Sequence, residues 1–114
     1  MKEIKTYIRP ERVDNVVRAL EEAGFCCMTI VNVAGLGEFA DPEKAKYSFE
    51  FVEKYTKNIK IELVCNDEQV DKAVDAIIKG GRTQKSGDGI IFVSPIDRSV
   101  KIRTGEEGTD ILQK

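Results

Sequence analysis

The sequence has no histidine and no tryptophan, and only three cysteines and three prolines among its 114 residues. Each shortage removes a class of chemistry. Without histidine, neither a Ser-His-Asp nor a Cys-His nucleophile system can be assembled. Cys26 and Cys27 are adjacent and Cys65 is remote, so there is no CxxC redox motif and no zinc-binding spacing. The expectation for all three is reduced thiols in or near strands, acting as small apolar residues. No apolar run is long enough to span a bilayer. The opening "MKEIKTYIRPERVD" alternates apolar and polar residues and lacks the apolar centre of a secretory signal, so the expected compartment is the cytosol. Charge of one sign is also missing. The net charge of −2 provides no basic field to recruit nucleic acid or an anionic membrane.

What is present is the balance of a soluble globular domain, 41% hydrophobic and 33% charged, at a length suited to one core. "EIKTYIR" reads as a strand with Ile4, Thr6 and Ile8 on one face and Lys5, Tyr7 and Arg9 on the other. Pro10 ends it and suits a helix start. Val13, Val16, Val17 and Leu20 then form one apolar helical stripe, closed by Gly24. "CMTIVNVAG" is a β-branched second strand. The order repeats in the second half. "IKIELVC" alternates, Asn66 with Gln69 makes a capping box, and Val70, Ala73, Val74, Ile77 and Ile78 form a stripe that Gly80 and Gly81 are expected to stop. "GIIFVS" is the fourth strand, and a short fifth, "SVKIRT", is expected after it. The βαβ–βαβ order predicts an α+β, ferredoxin-like fold with two helices on one face of an antiparallel sheet. Val64, Tyr7 and Val31 fall on the other face. They are too apolar to leave in water, which predicts an oligomer with sheets facing inward.

Between the second and third strands lie 24 residues, "GLGEFADPEKAKYSFEFVEKYTKN", where a hairpin needs about two to five. The segment is charged, with interleaved aromatics Phe39, Tyr47, Phe49, Phe51 and Tyr55. It reads either as an extra helix starting at Pro42 or as a loop that orders on a partner, with Phe39, Tyr47, Phe49 and Phe51 as candidate contacts.

"GDG", Gly87 to Gly89, is by itself a turn signal. Both glycines also allow backbone N–H groups to approach an anion. Lys101 and Arg103, two apart on the expected fifth strand, would share a face and offer paired cations to a polyphosphate. A solvated edge strand would look the same. "GLG", Gly35 to Gly37, is a second glycine turn at the base of the long segment. Together these features suggest phosphate binding.

The stretches "GFCCMTIVNVAGLG", "KIELVCNDEQVDKAVDAIIKGGRT", "GDGIIFV" and "IRTGEE" resemble the PII signal-transduction family over nearly the whole chain. The resemblance implies a homotrimer of ferredoxin-like subunits with ATP or ADP bound in three clefts between neighbours. It implies a T-loop, here about residues 37–57, that reaches a target protein such as a membrane transporter or a metabolic enzyme. A phosphate-binding loop would span about 82–90 and a C-terminal segment about 99–114. By position, Gly35, Leu36 and Gly37 would line the cleft, with Met28, Thr29, Glu62 and Val64 near the adenine and ribose. Gly87, Asp88, Gly89 and Ile90 would wrap the phosphates. Lys101 and Arg103 would add charge from the adjacent subunit.

Several positions depart from the family pattern. Phe51 stands where the family's uridylylated Tyr would lie, and it has no hydroxyl to modify. Phe39 and Asn58 replace a Gln and a Lys that the family uses for Mg²⁺ and 2-oxoglutarate. Phe39 offers no oxygen ligand and Asn58 no positive charge, so poor or absent 2-oxoglutarate sensing is expected and Mg²⁺ is left open. Glu38 and Ile90 replace basic residues, which predicts weaker selectivity for ATP and leaves room for a preference for ADP or AMP. The function this implies is that of a binding regulator, not an enzyme. Two alternatives carry less support. One is a small phosphohydrolase with Asp88 as base and Arg103 as charge stabiliser. The other is an RNA-binding sheet, for which Tyr7 and Phe92 are too few aromatics.

Overall fold

The computed structural model describes residues 1–34 and 57–108. Strand β1 is Lys2–Ile8, helix α1 Val13–Glu22, β2 Thr29–Ala34, β3 Lys57–Cys65, helix α2 Val70–Gly81 and β4 Gly89–Pro95. The strands form one sheet in the order β2-β3-β1-β4, with every pairing antiparallel. Two helices on one face of such a sheet give the expected ferredoxin-like α+β fold.

The period-two pattern of the strands decides which face the helices cover. Ile4, Ile8, Ile61 and Leu63 point at the helices and are buried, and Thr6 is buried among them. Val16 and Leu20 of α1 and Ala73, Ala76 and Ile77 of α2 complete the core. Helix α1 ends in a Schellman closure, in which Gly24 takes φ +96°, its N–H donates to Glu21 O (3.0 Å), and Phe25 N–H donates to Leu20 O (2.9 Å). A 3₁₀ turn, Asp67–Gln69, leads into α2, and Gln69 accepts from the Asn66 N–H at 3.2 Å, the returning half of a capping box.

Two expectations need correction. The second helix does end at Gly81, but neither glycine closes it as a left-handed cap; both are helical and buried. Gly80 is there because α1 packs against it. A Cβ at Gly80 would meet Asn15 O and Val16 Cα at 2.7 Å, and Arg12 Nε donates to Gly80 O at 2.9 Å. The second correction is that no fifth strand forms over "SVKIRT". Val100 makes an isolated bridge to Glu107, and residues 101–105 turn on hydrogen bonds from Lys101 N to Glu106 O and from Gly105 N to Lys101 O, both 2.8 Å. Glycine at 105 (φ +74°) favours the turn over continued pairing. Lys101 and Arg103 therefore do not share a strand face.

The outer face of the sheet carries a row of Val31, Lys60, Tyr7 and Ile90 and a parallel row of Thr29, Glu62, Lys5 and Phe92. Tyr7 meets Phe92 edge-on, with ring centroids 6.2 Å apart. Ile90, Phe92 and Val31 are exposed on this face. Among the described residues, no helix is long and apolar enough to cross a membrane.

Candidate functional site

The loop before β4 is built around one carboxylate. Asp88 Oδ2 accepts from Thr83 N and Gln84 N, each at 2.8 Å, while Oδ1 accepts from Arg9 Nε at 3.1 Å and from the Thr83 hydroxyl. Arg9 also donates through Nη2 to Ser86 O, which ties the end of β1 to the loop. Desolvation works to raise the Asp88 pKa. The donors from Thr83, Arg9 and Gln84 outweigh it and hold the carboxyl at about 2. A carboxylate so engaged is a poor proton acceptor at neutral pH, which argues against Asp88 as a general base. It acts instead as the loop's internal brace.

That brace sets the backbone on either side of it. Gly87 takes φ +91° and Gly89 φ +111°. At Gly89 a Cβ would lie 1.7 Å from Tyr7 O, so no other residue fits. Thr83 and Asp88 are partners five residues apart, whereas Arg9 is 79 residues away, and no local motif announces it. Ile90, also assigned to the phosphate end, opens β4 with an exposed side chain on the outer face. A cavity of about 400 Å³ borders the loop on the helix side, lined mainly by apolar side chains such as Ile8, Ile77, Ile78 and Ile91, with Arg82 and Asp88 at the loop.

Met28, Thr29, Glu62 and Val64 come together elsewhere, lining one cavity of about 300 Å³ with Cys27. Thr29 and Glu62 are cross-strand partners of β2 and β3. Glu62 is also paired with Lys60 Nζ at 3.1 Å. This cluster sits on edge strand β2 and its neighbour β3, whereas the Gly87–Gly89 loop opens β4, the opposite edge strand. Three strand spacings separate the edges, roughly 14 Å. One chain by itself therefore does not bring the two groups of expected site residues into one cleft.

The remaining expected site residues are dispersed. Arg103 is exposed in the C-terminal turn, Lys101 is half-buried, and the Ile102 side chain between them is fully exposed. Asn58 is buried at 5% exposure beside its β2 partner Val33, and its Nδ2 has no hydrogen-bond partner among the described residues. Gly35, Leu36, Gly37, Glu38, Phe39, Tyr47, Phe49 and Phe51 lie outside the described residues.

The cysteines differ from the expectation of three free thiols. Cys26 and Cys27 are joined by a disulfide, and only Cys65 is free and buried. Burial pushes the Cys65 thiol up, the N-terminal ammonium pulls it down, and Asp67 adds to the rise. No cluster of acidic, cysteine or histidine side chains among the described residues could hold a metal ion.

Comparison with known proteins places this architecture. The family model described as "Nitrogen regulatory protein P-II" matches residues 1–106. The nitrogen regulatory protein P-II of Rhodobacter capsulatus is 41% identical over 112 residues, covering 98% of this chain and 100% of the relative. That of Nostoc punctiforme is 39% identical over 112 residues with the same coverage. The crystal structure of Arabidopsis thaliana PII bound to citrate superposes with a TM-score of 0.80 at 29% identity, covering 99% of this chain and 90% of that one. The chain belongs to the nitrogen regulatory protein P-II family.

Proposed function

We propose that this protein is a cytosolic PII-type signal regulator that binds adenine nucleotides in clefts between copies of itself and acts on a target protein through the segment at about 37–57. The observation that carries the reading is the separation of two complementary half-sites in one chain. The loop at Gly87–Gly89 is braced by Asp88 and presents backbone in left-handed conformations that suit an anion. The cavity lined by Met28, Thr29, Glu62 and Val64 offers an edge of mixed polarity for a base and a sugar. A second copy brings its own cavity against the first copy's loop. The exposed apolar side chains of the outer face, Val31, Ile90 and Phe92, supply the contact that holds copies together, and a closed three-fold ring uses every edge equally.

The C-terminal turn fits the same scheme. Arg103 is exposed, and the Ile102 side chain is fully exposed among the described residues. In this reading Ile102 packs on a neighbour and Arg103 pairs with phosphate. Ile90 and Asn58, in place of cations, weaken the hold on a third phosphate and on a keto-acid carboxylate. ADP or AMP then competes well with ATP, and 2-oxoglutarate adds little. The nucleotide would act by favouring some states of the target-binding segment over others, the target being a membrane transporter or a metabolic enzyme.

The test is calorimetry with ATP, ADP and AMP, each with and without Mg²⁺ and 2-oxoglutarate. Saturable adenylate binding without multiple turnover supports a regulator. Steady release of phosphate would point to a phosphohydrolase. A strong gain in ATP affinity on adding 2-oxoglutarate would overturn the reading of Phe39 and Asn58.

A further inference from the structure

We propose that the Cys26–Cys27 pair is a thiol–disulfide exchange site, reduced by dithiols and reformed by disulfides, that tunes the adenine end of the nucleotide cleft. The consequence for affinity rests on the nucleotide reading above, whereas the exchange chemistry stands on the cysteines alone.

A structural role explains the pair poorly. In the chain-entropy account, a disulfide stabilises by closing a loop in the unfolded chain, and the effect grows with loop length. Bonding neighbours with a sequence separation of 1 closes the shortest loop there is. The pair is also open to reagents, because Cys26 and Cys27 are both exposed while Cys65 is 2% exposed. Exposed disulfides are the labile and regulatory ones. Cys65 lines the same small cavity as the pair, of about 120 Å³. It is nevertheless a weak competitor for exchange, since burial keeps its thiol protonated and the thiolate is the attacking form.

The position of the pair gives the reaction a consequence. Upstream, the chain is fixed by the Phe25 N–H bond to Leu20 O and by the buried Phe25 ring. Downstream, Met28 leads into β2 at Thr29. Cys27 itself lines the 300 Å³ cavity alongside Met28, Thr29, Glu62 and Val64. The disulfide closes a small ring that includes the Cys26–Cys27 peptide unit and so fixes the backbone leading into that wall. Reduction frees it.

The reaction balances without any other group. A dithiol attacks one sulfur, its thiolate forms a mixed disulfide, and its second thiol expels the remaining cysteine thiolate. The Cys26–Cys27 S–S bond breaks and one forms in the reagent. Two electrons and two protons pass to the protein, leaving Cys26 and Cys27 as thiols. A disulfide reagent runs the same steps backwards.

The experiment uses the full chain, oxidised with a small disulfide or reduced with dithiothreitol that is then removed. Native alkylation followed by intact-mass measurement counts the reactive thiols, and calorimetry with ADP follows on both forms. The oxidised form should take up no label and the reduced form two, Cys65 remaining protected. ADP affinity should fall about five- to tenfold on reduction, the change expected when the backbone of about one residue must be ordered on binding. Cys26→Ser/Cys27→Ser should take up no label and should bind ADP with the affinity of the reduced form under both conditions. Two labels on the disulfide-treated protein would overturn the exchange site. Correct labelling with equal ADP affinity in both forms would overturn the coupling and leave the nucleotide reading intact. Correct labelling with no ADP binding in either form would overturn both the coupling and the nucleotide reading.

Discussion

A Cβ on Gly89 would lie 1.7 Å from the main-chain oxygen of Tyr7. The loop that ends at Gly89 is therefore pressed directly onto β1, and its path is set by two strands rather than by its own length. Gly89→Ala must move one of them and also places a side chain at φ +111°. The expected loss is about 3 kcal/mol or more, from the clash together with the unfavourable backbone region. Urea denaturation of the variant checks it, and a loss below about 1 kcal/mol would mean that the loop is free to shift.

The Asp88 carboxyl, held at about 2 against an ordinary value of 3.8, ties this loop to pH. Its folded pKa lies below its unfolded one, so the stabilisation is fully present above about pH 4 and is lost as pH falls towards 2. Denaturation midpoints measured between pH 5 and 2 should fall more steeply for the natural protein than for Asp88→Asn. Parallel profiles would show that the carboxylate is not braced as described.

Arg9→Ala removes the Nε bond to Asp88 and the Nη2 bond to Ser86 O. The Thr83 and Gln84 bonds remain, so the fold should persist with a loss of about 1 kcal/mol. Nucleotide affinity should fall about three- to tenfold, because the loop must then be ordered on binding. Calorimetry showing unchanged affinity would make Arg9 a purely local tie.

Arg103→Ala should separate binding from stability. The side chain is exposed in the C-terminal turn, so thermal unfolding should not change. A charge-assisted bond to phosphate is worth about 1.5–3 kcal/mol, so ADP binding should weaken about tenfold or more. Equal affinities would remove Arg103 from the cleft.

The sequence exposed some of these features and hid others for identifiable reasons. Alternation in β1 and β3 and the stripes of both helices made the fold legible, because burial enforces those periods directly. The packing role of Gly80 was hidden, since the close approach of Asn15 is visible only once α1 and α2 are packed. "SVKIRT" has strand composition, yet the turn closed by Lys101 and Gly105 takes its backbone groups instead. "GDG" was legible as a turn, but the tie between Asp88 and Arg9 was not, because Arg9 arrives from the other half of the chain. The Cys26–Cys27 bond had no spacing motif to announce it.

The central claim is that one copy's loop and another copy's cavity make a single site. Mixed trimers test it most directly. Gly87→Glu places a carboxylate in the loop, Val64→Trp fills the cavity, and each variant alone should bind no ADP while remaining trimeric. Coexpressed with separate tags and purified through both, each mixed trimer should regain about one intact cleft in three, with natural affinity by calorimetry. Mixed trimers that bind no ADP would contradict a site shared between copies.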